Sequence, residues 1–175
     1  YKERSAVITD AVKELADFFH RLGLQVGLDV YAPLFSYFVG QDVEALSRSA
    51  DFIKPMIYRV TDAPAGIPYE AGCMEREFRG NGCEFAGVLE KLWHTADLCS
   101  AVSLQYQLKA LSNVHCPLYT GFEINAKPDI CHTNPDYIRQ TVEVLKSQGA
   151  EQAVLSWDIL SDTRNHLELL AQGGK

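Results

Sequence analysis

The sequence is short of positive charge and of long apolar runs. Its 16 Lys and Arg stand against 23 Asp and Glu, a formal net charge of −7. A nucleic-acid or anionic-membrane surface needs clustered Lys and Arg, so neither partner is expected, whereas a neutral or cationic ligand is easily accommodated. No run of roughly 18 apolar residues is present to span a bilayer, and the N-terminus lacks the charged-then-apolar pattern of a signal peptide. The chain opens on Tyr1 rather than Met, so it reads as a piece of something longer from which targeting information would have been removed. None of the five cysteines (Cys73, Cys83, Cys99, Cys116, Cys131) forms a CxxC pair. Reduced, buried thiols in a cytoplasmic protein are therefore expected rather than a disulfide framework. His115, Cys116, Cys131 and His132 are metal-ligating types, but adjacent strand residues face opposite ways, so no metal site is expected. There is no GxGxxG or Walker-type loop, because Gly80, Gly82 and Gly87 fall in a turn and a helix rather than between a strand and a helix. There is no GxSxG elbow either, and no cofactor is expected.

What is present suffices for one well-buried domain: 175 residues, 47% of them hydrophobic. The stretch around which the chain is organised is CPLYTGFEIN, Cys116 to Asn125. Strand residues alternate between faces, so Tyr119, Gly121, Glu123 and Asn125 share one face, and Leu118, Thr120, Phe122 and Ile124 share the other. Three segments repeat the design. In LQVGLDVYAP, Val26, Leu28 and Val30 oppose Gly27, Asp29 and Tyr31. In DFIKPMIYR, Ile53, Pro55 and Ile57 oppose Lys54, Met56 and Tyr58. In AVLSWDILS, Leu155, Trp157 and Ile159 oppose Val154, Ser156 and Asp158. Each strand offers a polar side chain near its C-terminal end, with helical segments between. That is the βα alternation of a parallel sheet.

In order along the chain, residues 2 to 22 read as an amphipathic helix, with Ala6, Val7, Ala11, Val12, Leu15, Phe18, Phe19 and Leu22 at helical spacing and Gly23 as the stop. It is expected to pack on the sheet. After the first strand, about 24 to 31, comes the loop APLFSYFVGQ, whose Phe35, Tyr37 and Phe38 suit either stacking on a sugar or a lid over core. Asp42 reads as an N-cap, and the second strand starts near Asp51. A helical insertion is expected at about 60 to 115: turn signals in TDAPAGIPYEAG, a short helix in GCMEREFRGNG, then helices near 83 to 94 and 97 to 111. AKPDICHTNPDY reads as a polar loop, with Asn134 or Asp136 and Pro135 starting a helix that Gly149 ends. A fourth strand, about 152 to 160, precedes a last helix capped by Ser161 or Asp162.

The motifs GLDVYAP, DFIKPMIY, TGFEIN and LSWDIL resemble successive strand ends, five to eight, in uncharacterised bacterial proteins of the glycoside-hydrolase-like (β/α)8 barrel type. The resemblance implies an α/β fold of four βα units, half of a TIM (β/α)8 barrel in a single domain, with the site at the C-terminal strand ends. It implies a glycoside hydrolase-like activity on a carbohydrate or other small molecule, and a glutamate ending the seventh strand is where many retaining barrel glycosidases keep their nucleophile. Glu123 matches that position. Glycoside hydrolysis usually needs two carboxyl groups. The partner, commonly on the fourth strand, has no match here, which leaves Asp29, Asp158 or a residue outside the chain. Lys54, Tyr58, Tyr31, Tyr119 and Asn125 are candidate substrate-binding residues, with Trp157 turned outward.

Two alternatives stay open. A lysine on the sixth strand is where Schiff-base aldolases keep their nucleophile, and Lys54 matches it, although an ion pair with Asp29 or Glu123 is the simpler expectation. Four βα units alone leave two strand edges unpaired, so the chain is expected to associate, as a homodimer or with the remainder of a parent, and could be a non-catalytic module. An open doubly wound sheet is the architectural alternative.

Overall fold

The computed structural model describes residues 2–81, 85–93, 95, 97–150, 152–156 and 164–173. Helix α1 (Lys2–Arg21) leads into strand β1 (Gly27–Tyr31), followed by two single-turn helices, α2 (Pro33–Ser36) and α3 (Val43–Leu46). Strand β2 (Phe52–Met56) precedes helices α4 (Ile67–Gly80), α5 (Phe85–Trp93) and α6 (Ala101–Ala110). Strand β3 (Thr120–Glu123), the two-residue strands β4 (Ala126–Lys127) and β5 (Cys131–His132), helix α7 (Pro135–Ser147), strand β6 (Ala153–Ser156) and helix α8 (Arg164–Gly173) complete the order.

Strands β1, β2, β3 and β6 pair in parallel, and their order across the sheet is their order in the chain. The chain is thus an α/β protein built on a four-stranded parallel sheet. Register aligns Asp29 with Lys54, Met56 with Gly121, and Glu123 with Ser156. The expected two-residue alternation is visible in the burial: Ile53, Pro55 and Ile57 are buried while Phe52, Lys54 and Met56 are half-buried. Val30, Ile53, Ile57, Phe122 and Ile124 join the apolar cores. The larger core takes Leu104 and Leu108 from α6 and Ile138, Val144 and Leu145 from α7. His166 anchors α8 through its Nδ1, 2.6 Å from the carbonyl of Ile124 at the end of β3.

Two of the expected caps are in place, and the Ser161 or Asp162 cap of the last helix lies outside the described residues. Asp42 accepts from the amide of Ala45 at the start of α3, and Asn134 accepts from the amide of Tyr137 at the start of α7, with Pro135 in the first turn. In the aromatic loop after β1, Phe35 is 1% exposed and Phe38 packs edge-on against Phe78 and Phe85, so these two cover core, whereas Tyr37 is exposed. Three expectations need correction. Helix α4 starts at Ile67, inside the run of apparent turn signals, because Pro68 fits a first helical turn and Gly66 is the N-cap. A Cβ at Gly66 would lie 1.9 Å from the carbonyl oxygen of Thr61, so the chain turns there only without a side chain. The loop after β3 holds a short antiparallel pair, β4 with β5. Helix α1 lies on the sheet through only part of its apolar surface. Ile8 and Val12 pack over the β1 side of the smaller core, while Val7, Leu15 and Leu22 remain 69%, 59% and 60% exposed.

Candidate functional site

The polar residues that the strands carry, with their partners, divide into two groups. The first lies low on the sheet. Lys54 Nζ donates to Asp29 Oδ2 at 2.8 Å, the pairing that neighbouring register positions on adjacent parallel strands allow. Tyr58 also engages the Lys54 ammonium. A Cβ at position 121 would sit 3.1 Å from the Pro55 carbonyl and 3.4 Å from both Lys54 Cε and the Tyr58 hydroxyl oxygen, so Gly121 leaves the space these two side chains fill. Burial pulls the Lys54 ammonium down, but Asp29 and Tyr58 together outweigh it and hold its pKa above the usual lysine value. Asp29 is 58% exposed and Lys54 16%, so this pair borders solvent.

The second group surrounds Glu123, which is 1% exposed. Its Oε1 accepts from the Val60 amide at 2.7 Å and the Thr61 hydroxyl at 3.1 Å. Its Oε2 accepts from the Tyr137 hydroxyl at 2.5 Å. One carboxylate thereby ties the end of β3 to the segment after β2 and to the first turn of α7. Burial, then the neighbouring Glu123 charge, push the Tyr137 phenol well above its ordinary pKa, so it stays protonated and donates. Arg59, 2% exposed, lies against the Tyr137 ring with its guanidinium carbon 4.5 Å from the centroid. It donates to the Cys99 carbonyl at 2.9 Å and the Thr141 hydroxyl at 2.5 Å. Two opposite charges thus flank one tyrosine in a buried region. Nearby, burial raises the Cys99 thiol to about 11 and lifts the Cys131 thiol, whose sulfur is 3.5 Å from Thr61 Oγ1.

The register measures the distance between the groups. Ile53 bridges Leu118 and Met56 pairs with Gly121, which puts Lys54 and therefore Asp29 level with Tyr119, four residues before Glu123. Four residues of rise and two strand spacings put the Asp29 and Glu123 backbones about 16 Å apart. A glycosidase carboxyl pair needs about 5 to 9.5 Å. Asp29 and Glu123 are therefore not such a pair within this chain, whereas the Lys54 to Asp29 ion pair is the arrangement the sequence suggested. Asp158 and Trp157 lie outside the described residues.

Tyr58 is 6% exposed, and Asn125 is buried at 2%. The Tyr119 ring meets Phe52 edge to face at 5.1 Å, and Tyr31 packs against the larger core while its amide donates to Gln41. Ser156, level with Glu123, has a buried hydroxyl that makes no hydrogen bond among the described residues. Thr61, Tyr137 and Arg59 went unnoticed in the sequence. The one available signal was the position of Tyr137 in the turn that Asn134 and Pro135 start. Among the described residues no three His, Cys, Asp or Glu side chains are grouped to hold a metal, and no helix is long and apolar enough to cross a membrane.

Comparison with family models, with curated proteins and with solved structures finds no match to this chain.

Proposed function

We propose that the chain is half of a (β/α)8-type barrel and that its C-terminal strand ends form part of a carbohydrate-processing site of glycoside-hydrolase-like kind. One observation carries the reading: four parallel strands follow one another in chain order, with Asp29, Lys54, Tyr58, Glu123 and Ser156 on the face opposite the aliphatic core. A barrel keeps its substrate at such strand ends. Glu123 is the leading carboxylate. Three donors fix its orientation, which suits a group that must approach a sugar carbon along one line. The acid that such hydrolysis needs is not Asp29, given the separation above, and falls to Asp158 or to a residue outside the chain. Lys54 and Asp29, four residues lower on the same face, offer donors and an acceptor to a sugar that extends down the sheet from Glu123.

Lysine chemistry fits less well. A Schiff-base nucleophile needs a depressed pKa, and the pKa of Lys54 is held up by Asp29 and Tyr58. The burial of Glu123 favours a second reading, in which its carboxylate is a structural tie and the chain a non-catalytic half-barrel.

The deciding experiment is a panel of nitrophenyl glycosides assayed with wild type and Glu123→Gln, each first shown to be folded by a thermal melt. Turnover that the substitution reduces by about 100-fold or more supports the first reading, since such a loss is about 2.7 kcal/mol of transition-state stabilisation. Turnover that survives the substitution removes Glu123 from the chemistry.

A further inference from the structure

The outer edge of β1 and the bare stripe of α1 describe one missing neighbour. Among the described residues, β1 and β6 end the sheet order, and no strand lies beyond either. The Val26 carbonyl accepts from Asp51, so residues 26, 28 and 30 direct their backbone groups at β2. The backbone groups of Gly27 and Asp29 then point outward, and the amide of Tyr31 is capped by Gln41. At the other edge, Thr120 donates to the carbonyl of Gln152 and Ile124 to that of Ser156, which turns the backbone of Ala153 and Leu155 outward.

Helix α1 packs on the smaller core, which includes Val30 of β1. His20 meets Asp51 at the foot of β2, 2.9 Å apart, and α1 also packs against α3, so that flank of the helix faces β2. At about 100° per residue, Ile8 and Val12 face the sheet, and Val7, Ala11, Leu15 and Phe18, with Leu22 just past the helix end, form an adjoining stripe whose N-terminal end is taken by Arg4 against the Phe38 carbonyl. All five stripe residues are exposed.

We propose that the occupant is β6 of a second copy of this chain. Its outward backbone completes the ladder with Gly27 and Asp29, and Leu155, which register puts on the same face as Phe122, meets Leu15 and Phe18. The twofold repeats the junction with the roles exchanged, so both open edges of each copy are paired and eight parallel strands close. The occupant is a parallel strand because an antiparallel one would run β6 against the polarity that closure requires. The interface needs the open sheet of the reading above but not its carbohydrate chemistry, so a dimer without turnover would sink only the latter.

The test is solution mass by light scattering coupled to size-exclusion chromatography, on wild type and on Leu15→Glu and Phe18→Glu. Both side chains are exposed in the single chain, so their replacement leaves the monomer fold intact, which far-ultraviolet circular dichroism checks. Wild type is expected at twice the 19.5 kDa chain mass, and each variant at the single mass with an unchanged spectrum. A monomeric wild type overturns the proposal, and so does a dimer that both substitutions leave intact.

Discussion

Removing one oxygen from Tyr137 isolates the bond on which the Glu123 arrangement depends. Tyr137→Phe keeps the ring that Arg59 lies against and deletes only the hydroxyl that donates to Glu123 Oε2. Both residues are buried, at 8% and 1% exposure, so water replaces the lost donor poorly. A hydrogen bond to a charged group contributes about 1.5 to 3 kcal/mol, and leaving the acceptor short of a donor lies in the same range. The variant should therefore lose about 2 kcal/mol in urea denaturation at neutral pH without a change in slope. At about 2 to 4 °C per kcal/mol for a chain of this size, its Tm should fall by about 4 to 8 °C. The pH dependence gives the sign. The folded pKa of Tyr137 is raised above the unfolded value near 10, so its contribution is full below about pH 10 and is lost as pH rises through the folded pKa. Wild type should consequently hold its advantage over the variant at neutral pH and lose it in strongly alkaline solution. A variant within about 0.5 kcal/mol of wild type at neutral pH, the range of ordinary surface changes, would refute the reasoning.

Three further outcomes can be checked on the same material. Asn134→Ala removes the α7 cap and should cost about 1 kcal/mol; because that cap also seats Tyr137, its cost should couple with Tyr137→Phe by more than about 0.5 kcal/mol in a double-mutant cycle. Gly66→Ala drives a Cβ into the Thr61 carbonyl and should cost about 1 to 3 kcal/mol by denaturation, an effect absent if the segment simply shifts. Borohydride with a carbonyl substrate at neutral pH should leave Lys54 unlabelled by mass spectrometry, because its ammonium is held protonated; a reduced adduct there would restore the aldolase reading.

The sheet and its caps were legible in the sequence because each is a local signal. Alternation in DFIKPMIYR fixes which residues meet the helices, and Asp42 and Asn134 reach donors only three residues on. The onset of α4 was not, since Gly66 and Pro68 have the same letters in a helix start as in a turn, and only the nearness of the Thr61 carbonyl tells them apart. Helical periodicity in α1 revealed an apolar face but not how much of it the chain itself covers. The Glu123 surroundings were hidden for another reason. Val60 and Thr61 come from 63 and 62 residues away, and nothing local to TGFEIN announces that its carboxylate is enclosed. Lys54 shows the reverse case: an ion pair with Asp29 or Glu123 was expected, and adjacent parallel strands make the partner Asp29.

The most direct test of the central claim is covalent labelling with activated 2-deoxy-2-fluoro glycosides followed by peptide mass spectrometry. Displacement of the leaving group by a carboxylate oxygen would leave one glycosyl ester on the protein. The account predicts that ester on the peptide carrying Glu123, and its loss in Glu123→Gln. A label on Asp29 or another carboxylate, or steady turnover of the reagent with Glu123 unmodified, would contradict it.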